Sequence, residues 1–240
     1  KNKVEKCKTK VKIAMIGKYV DLLDSYKSLN EALYHAGVIN NKIVDIIYLD
    51  SEKLTKRNIH QLKEMNGVLV PGGFGDRGIE GKILAAEYAR VNNIPYFGIC
   101  LGMQISVIEF ARNVMKLGKA NSTEFDKNTK NPVVALVDEW REDSGKRIFA
   151  NKENMGGTMR LGSQECILTK GSLAHKMYSR NNIKERHRHR YEVNGNLVGD
   201  FEKKGLAFSG QSKEGNLMEM IELKNHSWYV GCQFHPEFTS

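Results

Sequence analysis

Between Val11 and Met115 the chain repeats one pattern: a short apolar run, a turn signal, then an amphipathic stretch. The apolar runs are Val11–Gly17, Ile43–Leu49, Gly67–Pro71 and Pro95–Ile99. The stretches with helical spacing are Ser25–His35, with Ser25 as candidate N-cap, then Asn58–Met65, Ile79–Asn92 and Leu101–Met115. Strands separated by helices cannot be joined by tight turns, so they lie parallel, with the helices covering both faces of the sheet. Functional groups then gather at the carboxyl ends of the strands.

Beyond Pro132 strand follows strand: Val133–Val137, Gly157–Leu168, Arg186–Val193, Leu206–Ser212, Leu217–Leu223 and Trp228–Phe234. Turn signals such as Asp143-Ser-Gly145 and Asn194-Gly195 stand between them. The expected fold is a single α/β domain over residues 11–240. Its central sheet is mostly parallel and flanked by helices, with additional antiparallel strands in the C-terminal half. Residues 1–10 read as a basic tail or the end of an interdomain linker. At 240 residues the chain can bury a substantial core. No apolar run approaches the roughly 20 residues needed to cross a bilayer, which predicts no membrane partner.

Cys100 stands where strand Pro95–Ile99 meets helix Leu101–Met115, between Gly98 and Gly102. A sharp strand-to-helix turn lifts a side chain off the sheet edge and aims helix N–H groups at it. The helix dipole and a nearby imidazole are expected to lower such a thiol toward neutrality. The other cysteines, Cys7, Cys166 and Cys232, are far apart and show no metal-ligand spacing. That usage fits a reducing compartment, hence the cytoplasm, and predicts no metal site.

A nucleophilic thiol needs a base, and the base needs an orienting partner. His235 is singled out among seven histidines by Pro236 and Glu237 behind it. Pro236 bars a helix through the segment, and in an extended chain Glu237 falls alongside the His235 ring. A carboxylate on one ring nitrogen holds the tautomer and favours the imidazolium. Pro71-Gly-Gly-Phe-Gly75 closes a strand with glycines that let backbone N–H groups turn toward a ligand. Together with the Leu101 amide it would supply an oxyanion site.

The formal net charge of +9 raises a nucleic-acid reading, but the lysines are scattered. The dense cluster is Glu185-Arg-His-Arg-His-Arg-Tyr191, where alternation in a strand puts Arg186, Arg188 and Arg190 on one face. It suits a small carboxylate or phosphate better than DNA or RNA.

Pro71-Gly-Gly-Phe-Gly75, Gly98-Ile-Cys-Leu-Gly-Met-Gln104 and Cys232-Gln-Phe-His-Pro-Glu-Phe238 resemble, in order and spacing, the class I (triad-type) glutamine amidotransferases, a flavodoxin-like family. Val11–Tyr19, Asn121-Ser-Thr-Glu-Phe125, Gly156-Gly-Thr-Met-Arg-Leu-Gly162 and Glu185–Asn194 further resemble the glutaminase domains of the CTP synthase family. The resemblance implies Cys100, His235 and Glu237 as triad, with Gly73 and Leu101 as oxyanion donors. It also implies that Leu101, Gly102, Met103 and Gln104 line a glutamine pocket, with Glu124 on the substrate ammonium and Arg190 on its carboxylate. Free glutamine is zwitterionic, so selecting it needs one anion and one cation beside the amide-cleaving centre. The resemblance also implies no cofactor in this domain. In the family an upstream synthetase (amidoligase) domain uses ATP, Mg and UTP, with GTP as activator, and the full-length protein is a homotetramer of pyrimidine biosynthesis. A C-terminal helix follows the motif there. A free-standing Cys-His-Glu hydrolase of γ-glutamyl peptides and a catalytically silent scaffold are the alternatives.

Overall fold

The computed structural model describes residues 9–18, 23–136 and 159–240. Nine strands form one sheet: β1 (Thr9–Gly17), β2 (Lys42–Asp50), β3 (Gly67–Val70), β4 (Tyr96–Ile99), β7 (Arg160–Leu168), β8 (Asn182–His189), β10 (Leu206–Ser212), β11 (Met218–Leu223) and β12 (Tyr229–Cys232). Their spatial order is β2-β1-β3-β4-β12-β11-β10-β7-β8. The first five are mutually parallel; from β12 onward each neighbour is antiparallel. A small second sheet joins β5 (Asn121–Ser122), β6 (Pro132–Leu136) and β9 (Tyr191–Val193) in the order β5-β6-β9. The expected division into a parallel half and an antiparallel half therefore holds.

The central strands are apolar throughout because both faces are covered. Val68 and Val70 pack into one core with α2 (Ile79–Val91) and α3 (Leu101–Asn113). Leu69, between them, turns to a second core beneath α1 (Lys27–Ile39) and α4 (Leu173–Tyr178). On α3, the eleven residues Leu101–Ala111 are all buried, since the helix is wedged between the large sheet and the small one.

Several local expectations change. Ser25 is no N-cap: it lies in a 3-10 turn, Leu23–Tyr26, and α1 starts at Lys27 without a side-chain cap. The short helix expected over Asn58–Met65 is present and is of the 3-10 type, over Ile59–Glu64. Arg186–Val193 is not one strand. The chain bends at Arg190 and leaves the large sheet (β8) for the small one (β9). Asn194 accepts from Asn196 N–H, capping a short turn that leads into α5 (Val198–Lys203), a short helix between β9 and β10. Thr9 and Lys10, read as tail, pair with Lys42 and Ile43 in the sheet. Cys7, Val137, Asp143–Gly145 and the first three residues of the Gly156–Gly162 motif lie outside the described residues.

Candidate active site

Three neighbouring parallel strands, β3, β4 and β12, deliver the site residues from their carboxyl ends. In register, Val70 faces Gly98 and Cys232 faces Ile99. The next residues along each strand, Pro71, Cys100 and Gln233, consequently emerge side by side. Segments far apart in sequence are thereby set one strand spacing apart, about 4.8 Å.

Cys100 occupies φ 51°, ψ −104°, a conformation that costs a side-chain-bearing residue free energy and persists only where its surroundings enforce it. Its N–H donates to the Cys232 carbonyl at 2.7 Å, tying the turn to β12. The flanking glycines are required for space, since neither has positive φ. A Cβ at Gly102 would lie 2.1 Å from the Val70 carbonyl oxygen, and one at Gly98 2.5 Å from the Gly102 carbonyl group. Helix α3 thus rests against β3 and β4 with no room for a methyl group.

His235 Nδ1 and Glu237 Oε1 are 2.8 Å apart. The route to this contact differs from the extended one expected. Pro236 is the first residue of a 3-10 turn, Pro236–Thr239, and the turn swings Glu237 back onto the ring. Proline does bar a helix through His235, yet it starts a helical turn after it. A Cβ on Gly72 would meet His235 Cε1 at 2.7 Å and Cys100 Cβ at 3.5 Å. The imidazole and the cysteine therefore flank Gly72, and all three line a cavity of about 250 Å³. Gly73, Phe74, Arg188 and residues 24–29 complete much of its wall. A larger apolar cavity of about 400 Å³ lies under α1, and Glu237 borders both.

The expected lowering of the Cys100 thiol is overturned. Burial pushes it up to about 12, the Leu101 amide opposing, with the carboxylates of Glu237, Glu124 and Glu192 adding to the rise. Cys100 is 2% exposed, and in that setting desolvation outweighs the helix dipole. At rest the group is therefore a thiol, and reaction as a nucleophile would require its proton to move to a base.

Leu101, directly after Cys100, lies under Gly73, where a Cβ would be 3.5 Å from Leu101 Cδ2. Gly102 and Met103 face the sheet, and neither Gly102, Met103 nor Gln104 is on the cavity wall. Gln104 Nε2 instead donates to the Tyr191 carbonyl at 3.0 Å and to Gln233 Oε1 at 3.3 Å. Glu124 Oε1 accepts the Gly75 N–H at 2.8 Å; its carboxyl is pushed up by burial, with the Gly75 amide, Lys18 and Lys82 pulling it down. Arg190 sits at the bend between sheets. Among the described residues its Nη1 is a buried donor without a hydrogen-bond partner.

Three features escaped sequence reasoning. Gln233, fully buried, points Nε2 at Cys100 Sγ, 3.7 Å away. Its place inside the Cys232–Phe238 motif was the available signal. Arg188, which shares a strand face with Arg186, lies over the Phe74 ring at 5.8 Å and lines the cavity. Arg160 reaches Glu219 at 2.7 Å and Glu192 at 3.2 Å beneath His187 and His189, whose Nδ1 and Nε2 are 2.8 Å apart. No spacing rule links residues so remote in sequence. Among the described residues, no three His, Cys, Asp or Glu side chains gather to hold a metal ion, and no helix is long and apolar enough to cross a membrane.

A buried thiol beside a carboxylate-held imidazole, opening onto a glycine turn, is arranged to attack an amide carbonyl. Residues 21–240 match the glutamine amidotransferase class-I family, and the chain belongs to it. Within that family it is similar to the glutaminase domain of Trypanosoma brucei CTPS, a structure solved with bound acivicin. The two are 40% identical with a TM-score of 0.84, over 95% of this chain and 86% of that one. A glutamine amidotransferase from Thermotoga maritima (15% identity, TM-score 0.51, 95% and 76% covered) shares the fold. So does one from Methylobacillus flagellatus (11%, 0.55, 95% and 70%).

Proposed function

We propose that the chain hydrolyses L-glutamine to glutamate and ammonia through a γ-glutamyl thioester on Cys100, as the glutaminase domain of a CTP synthase. The observation that carries this reading is the 2.8 Å His235–Glu237 contact beside Cys100 in one cavity, within a chain 40% identical to a CTPS glutaminase domain. With Nδ1 engaged by Glu237, His235 keeps Nε2 for the thiol proton. Sulfur attacks the γ-carbonyl carbon as Nε2 takes that proton. The carbonyl oxygen becomes an oxyanion met by the Gly73 and Leu101 amides. Collapse expels the amide nitrogen, which leaves as ammonia with the proton from His235. A water, deprotonated by the same imidazole, then cleaves the thioester and regenerates the thiol. Glu124 would pair with the substrate ammonium through Oε2, and the unpartnered Arg190 Nη1 supports a carboxylate there.

The ammonia would pass to an amidoligase domain of the same polypeptide. That domain would aminate UTP to CTP with ATP and Mg, with GTP as activator, in a homotetramer. None of those nucleotides takes part in the steps above.

A diazoketone or chloro-isoxazoline analogue of glutamine tests the reading by mass spectrometry. One adduct per chain at Cys100, abolished by excess glutamine and by C100A, is expected. Adducts on Cys166 or Cys232 with Cys100 untouched would overturn it.

A further inference from the structure

The turn Pro71–Gly75 has little of its own to hold it. Among the described residues, Gly72, Gly73, Phe74 and Gly75 make no backbone–backbone hydrogen bond outside helices and strands, Gly75 is left-handed at φ 77°, and Phe74 is 47% exposed. Yet this turn carries the Gly73 amide to which the proposed reaction assigns the oxyanion. Two charged side chains grip one peptide unit at its end. Lys18 Nζ donates to the Phe74 carbonyl, and Glu124 Oε1 accepts from the Gly75 N–H at 2.8 Å.

We propose that Lys18 and Glu124 are positioning residues for the oxyanion turn, clamping the Phe74–Gly75 peptide from its two ends. Both bonds are charge-assisted, hence about twice as strong as neutral ones. Their origins make the grip rigid. Lys18 directly follows β1, the strand paired with β3, whose own end begins the turn. Glu124 follows β5 in the small sheet, with its own N–H bonded to Ser122 Oγ at 3.1 Å. The turn is thus strung between Val70, in register with Gly98, and a peptide plane fixed from both sheets. The clamp uses Oε1 of Glu124 and leaves Oε2 for the substrate ammonium, so one carboxylate would join substrate recognition to oxyanion geometry.

This inference rests on the glutaminase reading, and the test separates the two. Gly75 amide hydrogen exchange reads the clamp without turnover. It should quicken at least about tenfold in E124A and in K18M, and less than about threefold in E124Q, which keeps an acceptor oxygen. Turnover is read on glutamine and on 4-carbamoylbutanoate, which lacks the ammonium. K18M should lose roughly 10–100-fold in kcat on glutamine with KM within about threefold, part of the cost of deleting an oxyanion donor. On 4-carbamoylbutanoate, E124A should fall about tenfold or more in kcat/KM, and E124Q, which keeps an acceptor oxygen without the charge, should fall less than E124A. Equal activity of E124A, E124Q and the unsubstituted chain on that substrate, or unaltered Gly75 exchange in E124A, would overturn the clamp. If the unsubstituted chain hydrolyses neither amide, the glutaminase reading falls and the exchange measurement still decides the clamp.

Discussion

Gly102→Ala puts a single methyl group where the structure leaves none. Its Cβ would lie 2.1 Å from the Val70 carbonyl oxygen, 3.0 Å from the Val70 carbonyl carbon and 3.2 Å from Val70 Cβ. Contacts under 3.0 Å are not tolerated by real Cβ atoms, so α3 must back away from β3 by at least about 0.9 Å. The obstacle is backbone in a central strand, which cannot rotate aside as a side-chain tip would. Overpacking of this kind costs typically 1–3 kcal/mol, and a backbone obstacle places Gly102→Ala near the upper end, about 3 kcal/mol. For a chain of this size that lowers Tm by roughly 6–12 °C. The same shift carries Cys100, which leads into α3, away from His235 and the glycine turn. A misplacement near 1 Å costs on the order of 100-fold in rate. Gly199→Ala is the matched control. It lies in helix α5 with nothing within 4 Å of its Cβ position, so alanine there should stabilise by about 0.5–1 kcal/mol. Thermal unfolding by circular dichroism, with the rate of adduct formation at Cys100, measures both effects. A G102A chain melting within about 1 °C of the parent and reacting at the parent rate would refute the close-approach argument.

Other outcomes follow from the site's electrostatics. Because burial raises the Cys100 thiol to about 12, its thiolate fraction should grow about tenfold per pH unit across neutral and mildly alkaline pH. Iodoacetamide labelling should climb accordingly between pH 7 and pH 10, and a plateau near pH 7 would show a preformed thiolate–imidazolium pair instead. Arg190→Ala should raise the glutamine KM by about 30-fold or more, since the substrate carboxylate would be left desolvated and unpaired. Iodoacetamide labelling of Cys100 should be unchanged in that variant. Arg186→Ala is the charge control, because Arg188 lines the cavity and is no bystander; equal losses in both variants would make the cluster a diffuse electrostatic feature. Arg160→Met strands Glu192 and Glu219, both about 1% exposed or less, and should destabilise by about 3–5 kcal/mol. A melting temperature unchanged by that substitution would mean the two carboxyls are already neutral.

Much of this architecture is legible in the residue order because its causes are local. Alternating apolar runs and amphipathic stretches make a parallel sheet from Thr9 to Asn113, and Cys100 between Gly98 and Gly102 marks the sharp turn. His235-Pro-Glu237 places a carboxylate near an imidazole whether the segment is extended or turned, so the pair survived an error about the backbone between them. Arg190 was harder to place. Alternation in Arg186–Arg190 is real through His189, but the departure of the chain to a second sheet is set by which edge it pairs with, and no local spacing carries that.

What only the tertiary structure decided are quantities set by neighbours distant in sequence. The strand order that seats β3, β4 and β12 together turns three remote motifs into one cavity. The state of the Cys100 thiol depends on how completely α3 and the sheet exclude water, which reverses the expectation drawn from its helix N-terminus. Glu124 and Lys18 meet one peptide bond because a strand end and a loop of the second sheet converge on it. Periodicity reports which face a residue takes on its own element, whereas desolvation and through-space charge depend on every element packed against it.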